Sequence, residues 1–194
     1  MIYTENIRRI TALMGPLKTE LVEEYLKRKY ALSGTAAAKA VHAALRDRRV
    51  REKNGYIYAG NAFGREDSER MNMAFRVALR YIPDVYDLER GTEPWRISFI
   101  HRGLLVQICV PEEGSEEAVS MMLTRRYVFP HDRERIRRIA VISPSCDPER
   151  IRRCGFSIIC SWDGEEMKVA RRYSSREAWS DMQEEGDAAG MQFE

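Results

Sequence analysis

The sequence predicts an α+β protein in two parts, a set of amino-terminal helices closed by a β-hairpin and then a small α/β domain. Three observations predict it. Apolar residues recur at helical spacing as far as Asp47, and an Asn-Gly dipeptide between short alternating runs follows directly. From Val85 onward, short strand-like runs alternate with helical ones. Charge divides at nearly the same place. Residues 1–60 hold 12 Lys+Arg against 6 Asp+Glu, and residues 61–194 hold 20 against 24. A basic unit joined to a weakly acidic body is the electrostatic outline of a nucleic-acid-binding module on a non-binding domain.

The first helix is predicted from Ile7, Ile10, Leu13 and Met14, with Thr4 as its N-cap and Gly15-Pro16 as its stop. Leu17, Leu21, Val22, Tyr25 and Leu26 predict a second. After Lys29-Tyr30, Ser33-Gly34-Thr35 supplies cap chemistry for a third helix that runs to about Asp47. Ala37, Val41, Ala44 and Leu45 fall on its inner side, where small and branched residues allow close packing. Thr35, Lys39, His42 and Arg46, extended to Arg49, fall on the other side at i, i+4, i+7 spacing. Asn54-Gly55 then turns a hairpin whose first strand carries Arg51 and Lys53.

Three helices followed by a basic hairpin predict a winged helix-turn-helix over residues 1–62. Its third helix offers hydrogen-bond donors at the spacing that meets a major groove, and its hairpin can reach the phosphate backbone beside it. Double-stranded DNA is the expected partner. The expected contacts are Thr35, Lys39, His42, Arg46, Arg49, Arg51, Lys53, Asn54 and Gly55.

Asn61 to Gly64 reads as a join. Met71, Phe75, Ala78, Leu79 and Ile82 then form the stripe of a long helix from Arg65 to Tyr81, ended by Pro83. It opens or bridges to the second domain, residues 65–174, with a homodimer contact as its alternative role. Strands follow at 85–88, 95–100 and 104–110, the last one apolar as for a strand covered on both faces. A helix at 115–126 turns Ala118, Val119, Met122 and Leu123 inward. Strands at 138–143 and 156–162 and a returning strand at 167–171 complete the domain, with a short helix or turn at 148–154. Residues 175–194, six acids against one Arg, make an acidic and loose tail.

The order α-β-β-β-α-β is that of the restriction-endonuclease-like core, which needs a carboxylate ending its second strand and Asp/Glu-x-Lys on its third. The strands WRISFIH and LLVQICV contain neither acid nor lysine. Asp87, Glu89, Glu112 and Glu113 are out of register for that chemistry, and His101 and Gln107 do not replace them. No catalytic residue, metal or cofactor is therefore expected, and no enzyme activity. The residues His131, Cys146, Cys154 and Cys160 lack a familiar zinc spacing, which favours buried thiols. The turn Ser143-Pro144-Ser145-Cys146-Asp147 reads as a strand-ending loop, and the Arg-rich runs at 133–138 and 150–153 as solvated helix faces, with an extension of the nucleic-acid surface as their alternative. With no apolar run of 18 residues, no secretory signal and no disulfide framework, a cytoplasmic location is expected.

The stretches SGTAAAKAVHAALRDRRVREKNGYIYA and LLVQICVPEEG, set in this order of elements over residues 5–172, resemble the replication-relaxation proteins of plasmids and conjugative elements. The resemblance implies a DNA-binding accessory or regulatory protein of a mobile element, serving replication, mobilisation or transcription control. Two alternatives stand beside it. One is a metal-dependent nuclease whose site has migrated to Asp87, Glu89 or Glu112. The other is a winged helix that docks protein through the Thr35–Arg46 stripe.

Overall fold

The computed structural model describes residues 2–60, 65–124, 135–146, 148, 151, 155–164 and 166–173. The chain is a mixed α+β protein that divides into two compact units, Met1–Arg90 and Gly91–Glu194. The division falls later than the join at 61–64, because the long helix packs within the first unit.

The first unit begins with α1 (Ile2–Met14), β1 (Leu17–Lys18), α2 (Thr19–Tyr30) and α3 (Gly34–Arg46). A hairpin of β2 (Arg51–Lys53) and β3 (Tyr56–Tyr58), the helix α4 (Arg65–Leu79) and β4 (Val85–Arg90) follow. Two details of the helix starts differ from expectation. Thr4 lies inside α1 and does not cap it, since the helix already begins at Ile2. Leu17 belongs to no helix: it pairs with Ile57 as Lys18 pairs with Tyr56, so β1, β3 and β2 form one antiparallel sheet. A strand of two residues leaves no periodicity to read, and its apolar residue fits the helical pattern of α2 by coincidence. In α1 Leu13 is 40% exposed, and the inner position is taken by Thr11, whose hydroxyl donates to the Ile7 carbonyl at 2.8 Å.

The core of this unit joins α1, α2, α3 and the small sheet through Ile7, Met14, Leu17, Leu26, Val41 and Ile57. Helix α4 docks on α2. The rings of Tyr25 and Phe75 lie 6.1 Å apart, Arg28 donates to the Leu79 carbonyl at 3.2 Å, and Arg76 pairs with Glu20. Asn72 closes the free edge of β1. Its Oδ1 accepts from the Lys18 amide at 2.7 Å, and its Nδ2 donates to the Pro16 carbonyl at 2.9 Å and the Ser68 carbonyl at 2.5 Å. One side-chain amide thus does the work of a neighbouring strand, satisfying backbone groups that burial would otherwise strand.

The second unit carries β5 (Trp95–His101), β6 (Leu104–Cys109), α5 (Glu116–Thr124), β7 (Ile136–Ile142), β8 (Ile158–Trp162) and β9 (Met167–Arg172). Within this unit the strands neighbour one another in the order β5-β6-β7-β8-β9. β6, β7 and β8 run parallel, while β5 with β6 and β8 with β9 are antiparallel. On one face Trp95, Cys109, Ala140, Ile142 and Ile159 pack with Val119 and Leu123 of α5. On the alternate positions Ile97, Phe99, Val106, Ile108, Ile139 and Val141 are buried too. β6 is covered on both faces, as its apolar run predicts. Ala118 and Met122 of α5 point outward, contrary to expectation, because only Val119 and Leu123 of the described side chains reach the sheet.

Arg138 is no part of a solvated helix face. It sits on β7, 2% exposed, with its guanidinium 5.2 Å from the centre of the Trp95 ring. Cys109 and Cys160 are buried thiols, Cys146 is half-buried, and none of the three is in a disulfide. His131, Asp147, Cys154, residues 125–126 and the tail lie outside the described residues. No described helix is long and apolar enough to cross a membrane.

At the start of the second unit the backbone makes a close turn: the Gly91 amide donates to Arg96 and the Trp95 amide to Thr92, each at 2.9 Å. A Cβ on Gly91 would lie 2.7 Å from the Trp95 carbonyl oxygen and 2.8 Å from its carbon, both backbone atoms. Gly91→Ala should therefore cost about 1–3 kcal/mol, as an overpacked site does. Chemical denaturation of the variant should show a lower midpoint with an unchanged slope; an unchanged midpoint would mean that the turn yields freely.

Candidate nucleic-acid interface

α2 and α3 are joined by three residues, Ala31 to Ser33. Ala31 takes the left-handed conformation (φ 53°) that ends α2. Ser33 is extended and its hydroxyl accepts from the Ala36 amide at 3.2 Å, the cap predicted for α3. Ala37, Ala40, Val41 and Ala44 are buried beneath the helix. Small side chains there let α3 sit close against α1 and α2. The opposite side presents Thr35, Lys39, His42 and Arg46, all exposed and one helical turn apart in succession. Arg46 reaches sideways to Asp47 at 3.2 Å, a surface pair on which little stability depends.

Arg49 does not continue this stripe. α3 stops at Arg46, and the chain then closes a Schellman turn: the Arg48 amide donates to Leu45 at 3.0 Å and the Arg49 amide to Ala44 at 2.9 Å. Arg48, at φ 54°, holds the left-handed position that glycine usually takes. The turn sends Arg49 toward α1, where its charge joins those of Arg8 and Arg9 around Glu5. The Arg8 guanidinium, bonded to Glu5 at 2.6 Å, holds that carboxyl below the usual carboxylate range, and Arg49 adds to the effect.

The hairpin forms as its Asn-Gly dipeptide predicts. Asn54 (φ 54°) and Gly55 (φ 78°) both take positive φ, the two-residue turn whose twist matches its strands. Arg51 and Lys53 are exposed and project from one face of β2, with Glu52 on the other. The turn is tied down by a residue that periodicity missed. The Gly55 carbonyl accepts from both the Thr19 amide at 2.9 Å and the Thr19 hydroxyl at 3.0 Å, which fixes the hairpin tip to the start of α2.

A separate cleft of about 670 Å³ lies among α1, α2 and β4, lined by residues including Arg9, Leu13, Tyr25, Lys29 and Glu89. No residue of α3 or the hairpin lines it. Burial pushes the Tyr25 hydroxyl at its margin up to about 12, so it stays protonated.

The carboxylates considered for metal chemistry are dispersed. Asp87 and Glu89 are exposed on β4, and Glu112 lies in the loop before α5. Glu113 accepts from the Ser145 hydroxyl at 2.7 Å, and Ser143 and Ser145 are joined at 2.8 Å. These bonds tie the loop after β7 to the loop after β6. Among the described residues no group of three or more His, Cys, Asp or Glu is placed to hold a metal ion. No protein-family model matches the chain, and no curated protein matches it.

Proposed function

We propose that residues 1–60 are a winged helix-turn-helix that binds duplex DNA, with α3 in the major groove and the β2–β3 hairpin on the adjacent backbone. The observation that carries the reading is the division of α3 into a buried alanine-rich face and an exposed face bearing Thr35, Lys39, His42 and Arg46. The order α1-β1-α2-α3-β2-β3 and the anchored, basic hairpin support it further. Phosphate contacts from Lys39, Arg46, Arg51 and Lys53 supply affinity, while Thr35 and His42 are placed to face base edges.

The protein as a whole then acts as an accessory or regulatory DNA-binding protein. On the resemblance of its sequence to replication-relaxation proteins, we propose that this role is served on a mobile element, in replication, mobilisation or transcription control. The α/β unit serves as the part that recruits a partner or forms a homodimer. Titration of a labelled duplex with the full chain tests the reading. Lys39→Ala, Arg46→Ala and Lys53→Ala should each weaken binding and each reduce the slope of log K against log salt by about 0.9. If all three leave affinity and slope unchanged, DNA binding through this face is wrong.

A further inference from the structure

We infer that Lys18 is a further phosphate-contacting residue, on a second contact surface formed by the outward face of the three-stranded sheet. The inference rests on the DNA-binding reading above. Its starting point is the register of β1, β3 and β2, which sets Leu17, Ile57 and Glu52 side by side in one row and Lys18, Tyr56 and Lys53 in the next. Leu17 and Ile57 are fully buried, so their row faces the helices. Adjacent rows of a sheet point to opposite faces, so Lys18, Tyr56 and Lys53 share the other face, where Lys53 is exposed, Lys18 is half-buried and Tyr56 between them is buried. Tyr58 and Arg51, paired one residue beyond Ile57 and Glu52, lie on the same face.

That face therefore carries the exposed Arg51 and Lys53 and the half-buried Lys18 around the buried Tyr56 and half-buried Tyr58, and the one acid of the sheet, Glu52, is turned to the other side. Lys18 and Lys53 stand two strand spacings apart, about 10 Å. The Lys18 ammonium has no carboxylate partner among the described residues. Its backbone is held firmly: the Lys18 amide is bonded to Asn72, and Thr19 beside it grips the Gly55 carbonyl twice. A rigid backbone carrying an unneutralised cation beside the hairpin is a site for a phosphate, pre-organised so that little ordering cost falls on binding. A merely solvating role is the competing one, since lysine stems can lie along an aromatic ring such as Tyr56, which is 8% exposed.

The test uses the full chain and a short labelled duplex at several salt concentrations. Lys18→Gln keeps the apolar stem and removes the charge, Lys18→Arg keeps the charge, and thermal unfolding of each variant checks the fold. The expected result is several-fold weaker binding for Lys18→Gln, a salt slope smaller by about 0.9, recovery in Lys18→Arg and unchanged unfolding midpoints. Thr19→Val should weaken binding while Thr19→Ser retains it, as positioning of the hairpin by that hydroxyl requires. A wild-type chain that binds with salt dependence while Lys18→Gln keeps its slope overturns this inference and leaves the DNA reading intact. A wild-type chain that shows no salt-dependent binding overturns both.

Discussion

Replacing Lys39, Arg46 and Lys53 together by alanine should weaken duplex binding roughly 100-fold or more near physiological salt and lower the salt slope by about 2.7. The magnitude follows from what each cation does. A Lys or Arg that neutralises a phosphate releases condensed counterions, and the entropy of that release is the sequence-independent part of affinity. All three side chains are exposed, two on α3 and one on the hairpin, so their removal opens no cavity and should leave the free energy of unfolding within about 0.5 kcal/mol of the original. Arg172→Ala, an exposed cation at the end of β9, is the control. It removes charge from the other unit and should leave affinity unchanged. Equal losses from the control and from each interface cation would mean that net charge, not this surface, governs binding.

The second large effect is on stability. Asn72→Ala should cost about 1–3 kcal/mol, because it removes one buried side chain and leaves two half-buried backbone groups, the Lys18 N–H of β1 and the Pro16 carbonyl just before it, without their partner. Asn72 is 3% exposed, and its amide group satisfies the Lys18 N–H and the Pro16 carbonyl together. A buried polar group left without its partner costs about 1–3 kcal/mol, and the two half-buried groups here share a cost in that range. Asn72→Asp sharpens the prediction. It keeps an acceptor for Lys18 but sets a carboxylate oxygen against the Pro16 and Ser68 carbonyls, where Nδ2 now donates. It should destabilise at least as much as alanine. Denaturation of both variants, with hydrogen exchange at the Lys18 and Ile57 amides, checks this. Protection retained at those amides in Asn72→Ala would show that water replaces the side chain at no cost.

The parts of the fold carried by local patterns were legible in the sequence, and the parts carried by long-range pairing were not. The Ser33 cap, the alanine face of α3 and the Asn54-Gly55 turn depend on neighbours within a few residues, so composition and spacing reveal them. The run Leu104–Cys109 shows its two-sided burial in its own residues. β1 does not reveal itself, because Leu17 and Lys18 become a strand only by meeting Ile57 and Tyr56, some forty residues away. The same limit hid Asn72 and Thr19, whose partners lie 54 and 36 residues off in sequence. Arg49 was misplaced for a local reason. Continuing the i, i+4, i+7 count assumed a helix that the left-handed Arg48 ends. Arg138 was read both as the end of a charged run and as the start of a buried strand; the strand reading holds, and the Trp95 ring gives its guanidinium a buried neighbour.

The central claim, that the exposed face of α3 and the hairpin beside it bind duplex DNA, is tested most directly by the salt dependence of wild-type binding. The full chain should bind a labelled duplex with an affinity that falls steeply between about 50 and 200 mM salt, with a slope of about −3 or steeper for the cations of α3 and the hairpin. Binding that is absent at the lower salt, or present with a slope near zero, would contradict the claim.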